Sequence, residues 1–330
     1  MDVDPPTHGM LKRIGRTRFR NAHPHASHNV ASVLRWKLGW AAEEPPSVLN
    51  SDNQEKPKLG QRPNWTPSEP LRDTQMRVTW IGHSTFLIQY HGVNILTDPI
   101  FGDCQPVPVG RYRRVCAPGI LFENLPPIHH VLISHSHYDH LDAPTIRALG
   151  NRCQYWVPEG LSGWLRKRGI SVIHEFSWWQ SGKLAKGISI HCVPAQHASA
   201  RTPFDRDQTH WCGWVLQSED RSLYFAGDTG YSPIFKEIGE RFGGFDVAMI
   251  PIGAYRPRWL MHPMHTDPAE AVKVHEDVGS RLSIACHWGT FRLADEPLEE
   301  PPALLASELA SRGIEAGKFL TLTPGNCIEV

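Results

Sequence analysis

The nine residues "SHSHYDHLD", 134–142, constrain this chain more than any other stretch. They close an apolar, β-rich run, "HHVLIS", with three histidines and two aspartates. Side chains of this kind are costly to bury unless something pairs with them. Three more apolar runs end in the same manner: "ISIHCVPAQ" at His197, "SLYFAG" at Asp228 and "LSIAC" at His287. Strand tips are rigid platforms for functional loops. Four strands that each deliver a metal-binding side chain imply a fold in which those tips meet.

The rest of the pattern supplies such a fold. "RVTWIGHSTFLIQYHGVNILTDP" reads as strands broken at His91-Gly92, a hairpin. "HHVLISH", "ISIHCVPAQH", "SLYFAGD", "DVAMIPIGA" and "LSIACHW" are short β-rich runs. Between them lie the helix-like pieces "APTIRALG", "GLSGWLRKRG", "PIFKEIGERFG", "DPAEAVKVHEDVG" and "EPPALLASELASRG". Asp267 is placed as an N-cap, with Pro268 at the first helical position. Strands that alternate with helices predict an α/β layered domain, with sheets inside and helices outside. That domain runs over residues 76–330, with no internal repeat.

Residues 1–75 differ. "EEPPSVLNSDNQEKPKLGQRPNWTPSEP" reads as irregular, and "NVASVLRWKLGW" as a short helix. The expectation is an irregular extension packed on the main domain. A basic arm for a partner or a membrane is the alternative, because Lys12, Arg13, Arg16, Arg18, Arg20, Arg35 and Lys37 precede Glu43.

Across the chain of 330 residues, 34 basic side chains balance 34 acidic ones. That argues against a surface built to track nucleic acid. No run approaches the ~20 apolar residues of a membrane-spanning helix, and "MDVDPPTHGM" lacks the apolar core of a secretory signal. Seven cysteines, an odd number with no C-x-x-C pair, point to a reducing compartment and to packing as small apolar groups. The expected location is cytoplasmic or intracellular, with peripheral contact to a membrane.

The strand-tip residues form two coherent ligand sets. His135, His137 and His197 make a three-histidine set, while Asp139, His140 and His287 make a second. Asp228 can bridge both with one carboxylate. Imidazole and carboxylate suit zinc in four- or five-coordinate geometry. Two divalent ions roughly 3.5–4 Å apart can share a water and lower its pKa toward 7. The sequence therefore predicts a binuclear hydrolytic site holding two Zn²⁺. Of the other histidines, His23, His25 and His28 read as solvated, and His129 and His130 as structural. His174, His191, His210 and His275 have no evident partner in the sequence.

H-x-H-x-D-H followed by His, Asp and His at strand ends resembles the metallo-β-lactamase superfamily. "VTWIGHSTFLIQ", "LTDPIF", "LPPIHHVLISHSHYDHLD", "FAGDTGYSPIFKEIGERFGGFDVAMIPIGAYRPRW" and "ACHWGTF" narrow the likeness. Together they resemble the N-acyl-phosphatidylethanolamine-hydrolysing phospholipase D family, over nearly all of residues 76–330. "RFRNAHP" and "VLRWKLGW" extend it into the first segment. The resemblance implies an αββα sandwich and a zinc phosphodiesterase, in which a metal-bound hydroxide attacks phosphorus of a glycerophospholipid. The products would be phosphatidic acid and an N-acylethanolamine. Asp139, Asp228 and His265 are the implied catalytic groups. Asp98 in "LTDP" matches an aspartate that orients a ligand histidine. His265, Met264 and Arg201 match positions near the substrate; Met264 departs from the polar residue expected there, and Ala200 from a basic one.

Other readings use the same residues. The fold serves hydrolases of lactones, cyclic nucleotides and nucleic acids, and a non-catalytic lipid-binding protein is a reading of another class. The last would lack ligands, and here all seven are present. The expected partners are a phospholipid substrate and, transiently, a membrane surface, with no nucleic acid; a homodimer is left open. Leu161, Trp164 and Leu165, beside Arg166, Lys167 and Arg168, have the composition of a membrane contact; the favoured reading is the ordinary one, in which the apolar three face the sheet and the charges form a solvated rim.

Overall fold

The computed structural model describes residues 18–26, 30–39, 75–104 and 112–330. Two seven-stranded sheets form its centre. The first holds β1 (Arg77–Gly82), β2 (Thr85–Tyr90), β3 (Val93–Thr97), β4 (His130–Leu132), β5 (Gln154–Pro158), β6 (Ile173–Phe176) and β14 (Cys327–Glu329), in the order β14-β1-β2-β3-β4-β5-β6. The second holds β7 (Ser181–Ala185), β8 (Ile188–Val193), β9 (Gly213–Gln217), β10 (Ser222–Phe225), β11 (Phe245–Pro251), β12 (Ser280–Cys286) and β13 (Phe319–Leu320), in the order β13-β12-β11-β10-β9-β8-β7.

The strands are apolar on both faces because both faces are covered. Trp80, Phe86, Ile88, Ile95 and Leu132 of the first sheet point into the core shared with the second. Their strand neighbours Ile81, Leu87, Leu96 and Val131 point the other way, as the two-residue period of a strand requires. There they meet Ile146 and Leu149 of α2 (Ala143–Leu149) and Leu161 and Leu165, which start and lie within α3 (Ser162–Arg166). The far face of the second sheet is closed by α4 (Ile234–Phe242), α6 (Pro268–Asp277) and α7 (Glu300–Ser311), through Phe235, Ile238, Val272, Leu305 and Leu309. The result is the αββα sandwich that the resemblance implies.

Several local expectations hold. The chain reverses at His91-Gly92, where both residues have positive φ (47° and 73°). Asp267 caps α6 in a capping box: it accepts from Glu270 N at 2.9 Å, and Glu270 Oε2 accepts from Asp267 N at 3.3 Å. All seven cysteines are free, and six are buried. Six strands, β5, β6, β7, β9, β13 and β14, are not among the apolar runs above. Strands β6 and β7 are sheet edges and partly exposed, so they carry no apolar alternation. Strands β13 and β14 span only two and three residues. Strands β5 and β9 are interior, each marked by a buried tryptophan, Trp156 and Trp214. A short helix, α5 (Arg258–Met261), was also unannounced.

Of the first segment, residues 18–26 and α1 (Val30–Lys37) are described, and both touch the sandwich. Phe19 N donates to Asp207 O at 2.8 Å. Trp36 Nε1 donates to Asp295 Oδ2 at 2.5 Å, and the Arg35 guanidinium lies 5.4 Å from the Trp259 ring. The irregular stretch 43–70 and His28 lie outside the described residues.

Direction decides where the site forms. Strands β1, β3 and β4 run the same way in the first sheet, and β8, β10, β11 and β12 do so in the second. Their C-terminal tips meet along one edge of the sandwich. Trp214 of β9 ties the sheets there, its indole donating to Ile133 O at 2.9 Å.

Candidate metal centre

The ligand loop leaves β4 and is fixed at both ends before any cation is considered. At its start, Ser134 N and Oγ donate to the two oxygens of Asp98, at 2.7 and 2.5 Å. At its end, Asp142 caps α2, accepting from Thr145 N at 3.1 Å and Thr145 Oγ1 at 2.6 Å. Between them, Leu141 N donates to His137 O at 2.9 Å, closing a turn that aims His137 and His140 at the same edge. Asp228 follows Gly227, whose φ is +63° and where a Cβ would stand 2.7 Å from Ser134 Cβ. Only glycine lets that tip approach the loop so closely.

Three imidazole nitrogens converge at the first set. His137 Nδ1 lies 2.8 Å from His135 Nε2 and 3.2 Å from His197 Nε2. Asp228 Oδ2 stands 3.9 and 3.8 Å from the latter two nitrogens. Zinc–nitrogen bonds of about 2.0–2.1 Å in a tetrahedron place ligand atoms roughly 3.3 Å apart, so the spacing fits that ion. Outer partners fix the rings. Ser134 Oγ meets His135 Nδ1 at 2.9 Å, and Met264 O meets His197 Nδ1 at 2.9 Å.

The second set is meshed with carboxylates. His140 Nε2 lies 3.1 Å from Asp228 Oδ2 and 3.3 Å from Asp139 Oδ2. His287 Nε2 lies 3.0 and 3.3 Å from the same two oxygens. Asp98 Oδ2 holds His140 Nδ1 at 2.7 Å, which leaves Nε2 for the centre. One oxygen of Asp228 therefore faces both sets. Asp228 Oδ1 and His140 Nε2 are buried without a hydrogen-bond partner, the condition a cation would relieve.

Charge follows this geometry. Burial lowers His135, His137 and His197, the first and last well below the ordinary imidazole range. Burial would lower His140 and His287 too, but Asp228 and Asp139 beside them outweigh it. His140 is raised well above its usual range and His287 to about 9. Burial would raise Asp139 and Asp228, yet His140 and its neighbours hold both well below the carboxylate range.

Two contributors were not singled out in the sequence. His83, at the tip of β1 with φ 55°, places Nε2 2.9 Å from Asp139 Oδ2 and joins Asp139, His140 and His287 in one cluster. Its signal was the one used elsewhere, a histidine closing an apolar strand in "VTWIGH". Asn21 comes from the first segment. Its Oδ1 accepts from His197 N at 3.0 Å and from the Trp211 indole at 2.8 Å, and its Nδ2 donates to His197 O at 2.8 Å. It clamps the peptide of a ligand from 176 residues away. No property of Asn21 alone announced this.

The substrate positions fall in different places. His265 faces the centre, its ring 5.1 Å from that of His197 and its Nδ1 3.9 Å from Asp228 Oδ2, with no hydrogen-bond partner at that nitrogen. Burial lowers it to about 4. Met264 meets the site through its carbonyl. Arg201 turns to the back of the ligand loop. Its Nη1 donates to Ser136 O at 2.7 Å and Leu141 O at 2.9 Å, and the guanidinium lies 3.9 Å from the Tyr138 ring. For the segment 161–168 the structure agrees with the ordinary reading. Leu161 and Leu165 are 1% and 0% exposed and packed under the first sheet, so only Trp164 keeps a partial surface.

Residues 93–288 match the family model described as a β-lactamase superfamily domain, and the chain belongs to that superfamily. A solved metallo hydrolase of this fold, Igni18 from Ignicoccus hospitalis, superimposes with a TM-score of 0.61 at 23% identity, over 78% of this chain and 98% of that one. Within the superfamily the chain belongs to the family of N-acyl-phosphatidylethanolamine-hydrolysing phospholipases D. It is 36% identical over 281 residues to N-acyl-phosphatidylethanolamine-hydrolyzing phospholipase D 1 of Caenorhabditis elegans, covering 81% of this chain and 79% of the relative. It is also 30% identical over 265 residues to a UPF0173 metal-dependent hydrolase of Methanopyrus kandleri, spanning 77% of this chain and 100% of that one.

Proposed function

We propose that this chain is a zinc phosphodiesterase of the phospholipase D type. It would hydrolyse N-acyl-phosphatidylethanolamine-class glycerophospholipids to phosphatidic acid and N-acylethanolamine. The observation that carries the reading is the single Asp228 oxygen facing both ligand sets at one edge. The family relation at 36% identity supports the substrate class.

His135, His137, His197 and Asp228 would hold one zinc, and Asp139, His140, His287 and Asp228 the other. Bound there, zinc supplies Lewis acidity and a water acidic enough to be a nucleophile at neutral pH. The chain does the rest. Asp98 keeps the Nδ1 proton on His140, and the Met264 carbonyl keeps the Nδ1 proton on His197, so both present Nε2 inward. His83 orients Asp139. His265 Nδ1 is the free polar atom at the rim, in place to hydrogen-bond a phosphoryl oxygen.

The test is a substrate panel with zinc-loaded protein: N-acyl-phosphatidylethanolamine, phosphatidylethanolamine, a lactone and a cyclic nucleotide. Run in ¹⁸O-water, hydrolysis at phosphorus puts the label in phosphatidic acid, and N-acylethanolamine leaves unlabelled. Turnover of the lactone or cyclic nucleotide with no phosphatidic acid from any lipid would refute the reading.

A further inference from the structure

Behind the ligand loop, away from the metal centre, lies a cavity of about 410 Å³. Its wall carries three guanidiniums, Arg147, Arg168 and Arg201, with the rings of Tyr138 and Trp164. Arg168 stacks on Trp164 at 3.5 Å, and Arg201 reaches the same indole at 4.8 Å. Like charges gathered on one wall repel unless something answers them. Two carboxylates, Asp142 and Asp205, share the wall, so three guanidiniums against two carboxylates leave it net cationic. Asp142 accepts from Thr145 N and Oγ1, and Asp205 Oδ1 accepts from the backbone of Arg201 and Thr202. Among the described residues, no ion pair joins a carboxylate to any of the three arginines. Arg168 Nε is buried and unpartnered.

The chain just beyond this wall is unusual for a water-facing surface. Thr202 lies on the wall, and two residues on, Phe204 is 80% exposed, the most exposed large apolar side chain described. Arg166 and Lys167, next to Arg168 in the chain, are exposed. A net cationic wall, with a bare aromatic two residues beyond it in the chain, matches an interface of anionic headgroups over acyl chains.

We infer that this cavity seats the phosphate of an anionic phospholipid while Phe204 enters the acyl layer. The face built from α2, α3 and the loop after His197 is then the surface by which the chain docks on a bilayer. Arg201 joins this surface to the centre, because it sits on the cavity wall and holds the carbonyls of Ser136 and Leu141 in the ligand loop. The inference rests on the proposed phospholipid substrate for its purpose, since a docked enzyme would take that substrate from the same membrane.

Binding can be read without turnover. The full chain is sedimented with phosphatidylcholine vesicles, with and without phosphatidic acid. Each cation near an anionic surface contributes roughly fivefold in partition, so Arg147→Gln with Arg168→Gln should lower binding to the acidic vesicles about 25-fold. Added salt should weaken what remains. Phe204→Ser, which changes an exposed side chain, should lower binding severalfold. Metal content and thermal midpoint should stay at the parent values in both. Unchanged partition in either variant overturns the docking surface. So does tight calorimetric binding of inorganic phosphate by a protein that ignores the vesicles, which would make the cavity a site for a soluble anion. A protein that binds vesicles through these residues yet hydrolyses no lipid would sustain the docking surface and refute the proposed activity.

Discussion

The two ligand sets draw on the same residue types but are held in different ways. His135, His137 and His197 meet nitrogen to nitrogen, and their outer supports are neutral: the Ser134 hydroxyl, the Met264 carbonyl and the Asn21 carboxamide. Burial is the largest influence on these imidazoles and lowers them, although Asp228 pulls the other way. His140 and His287 instead sit among Asp98, Asp139 and Asp228, and their proton affinity is raised. Besides the shared Asp228 carboxylate, the first set offers a cation only imidazole lone pairs, whereas the second adds the charge of Asp139. Loss of a neutral support should loosen the first set, whereas loss of a carboxylate should dismantle the second.

Substitutions can break or sharpen that contrast. Asp228→Asn removes the charge common to both sets and has the largest expected effect. Its loss of metal affinity should exceed the 10–100-fold that removal of an outer partner costs, at both sets. Metal content after dialysis against a chelator measures it, and full retention at either set would show that the carboxylate is not shared. Asp98→Asn weakens the hold on His140 Nδ1 and should cost 10–100-fold in affinity at the second set, with a smaller loss at the first, because Asp98 also anchors Ser134 behind His135. A competing-chelator titration should resolve this as one dominant shifted phase; two equal shifts would erase the distinction between the sets.

Arg201→Ala withdraws the guanidinium from the carbonyls behind His137. A hydrogen bond from a charged group contributes about 1.5–3 kcal/mol, so the unfolding midpoint should fall and the first set should release metal faster. If metal and midpoint stay as in the parent while lipid turnover alone drops, Arg201 serves the headgroup, as the family resemblance implies. Asn21→Ala is the smallest change. Loss of neutral hydrogen bonds, each about 0.5–1.5 kcal/mol, should speed metal loss from the first set severalfold. Asn21→Asp retains the acceptor for His197 N and should recover part of it. Equal loosening of the second set would show a general fold defect instead.

The legible part of the centre is the part whose ligands follow from strand geometry. His135, His137, Asp139 and His140 crowd into six residues, and His197, Asp228 and His287 each close an apolar run. Asp98 and His265 were reached through the family resemblance. His83 was passed over because a lone histidine beside a turn has many ordinary uses; only the meeting of β1 with the ligand loop sets it against Asp139, 56 residues on. Arg201, too, was reached through the resemblance; only the structure shows its guanidinium donating to the carbonyls of Ser136 and Leu141 behind the ligand loop.

The αββα arrangement came with the family resemblance; by itself, the sequence determined a layered α/β domain and seven candidate ligands at strand tips. Both rest on local rules: side-chain period sets which face is apolar, and a strand end sets where a loop begins. Only the tertiary structure decided that one oxygen of Asp228 faces both sets, that Asn21 braces His197, and that three arginines share a wall with no ion pair to a described carboxylate. Those are facts of distance between residues far apart in the chain. Loop closure and packing of the whole core fix them, and no single stretch of sequence encodes them.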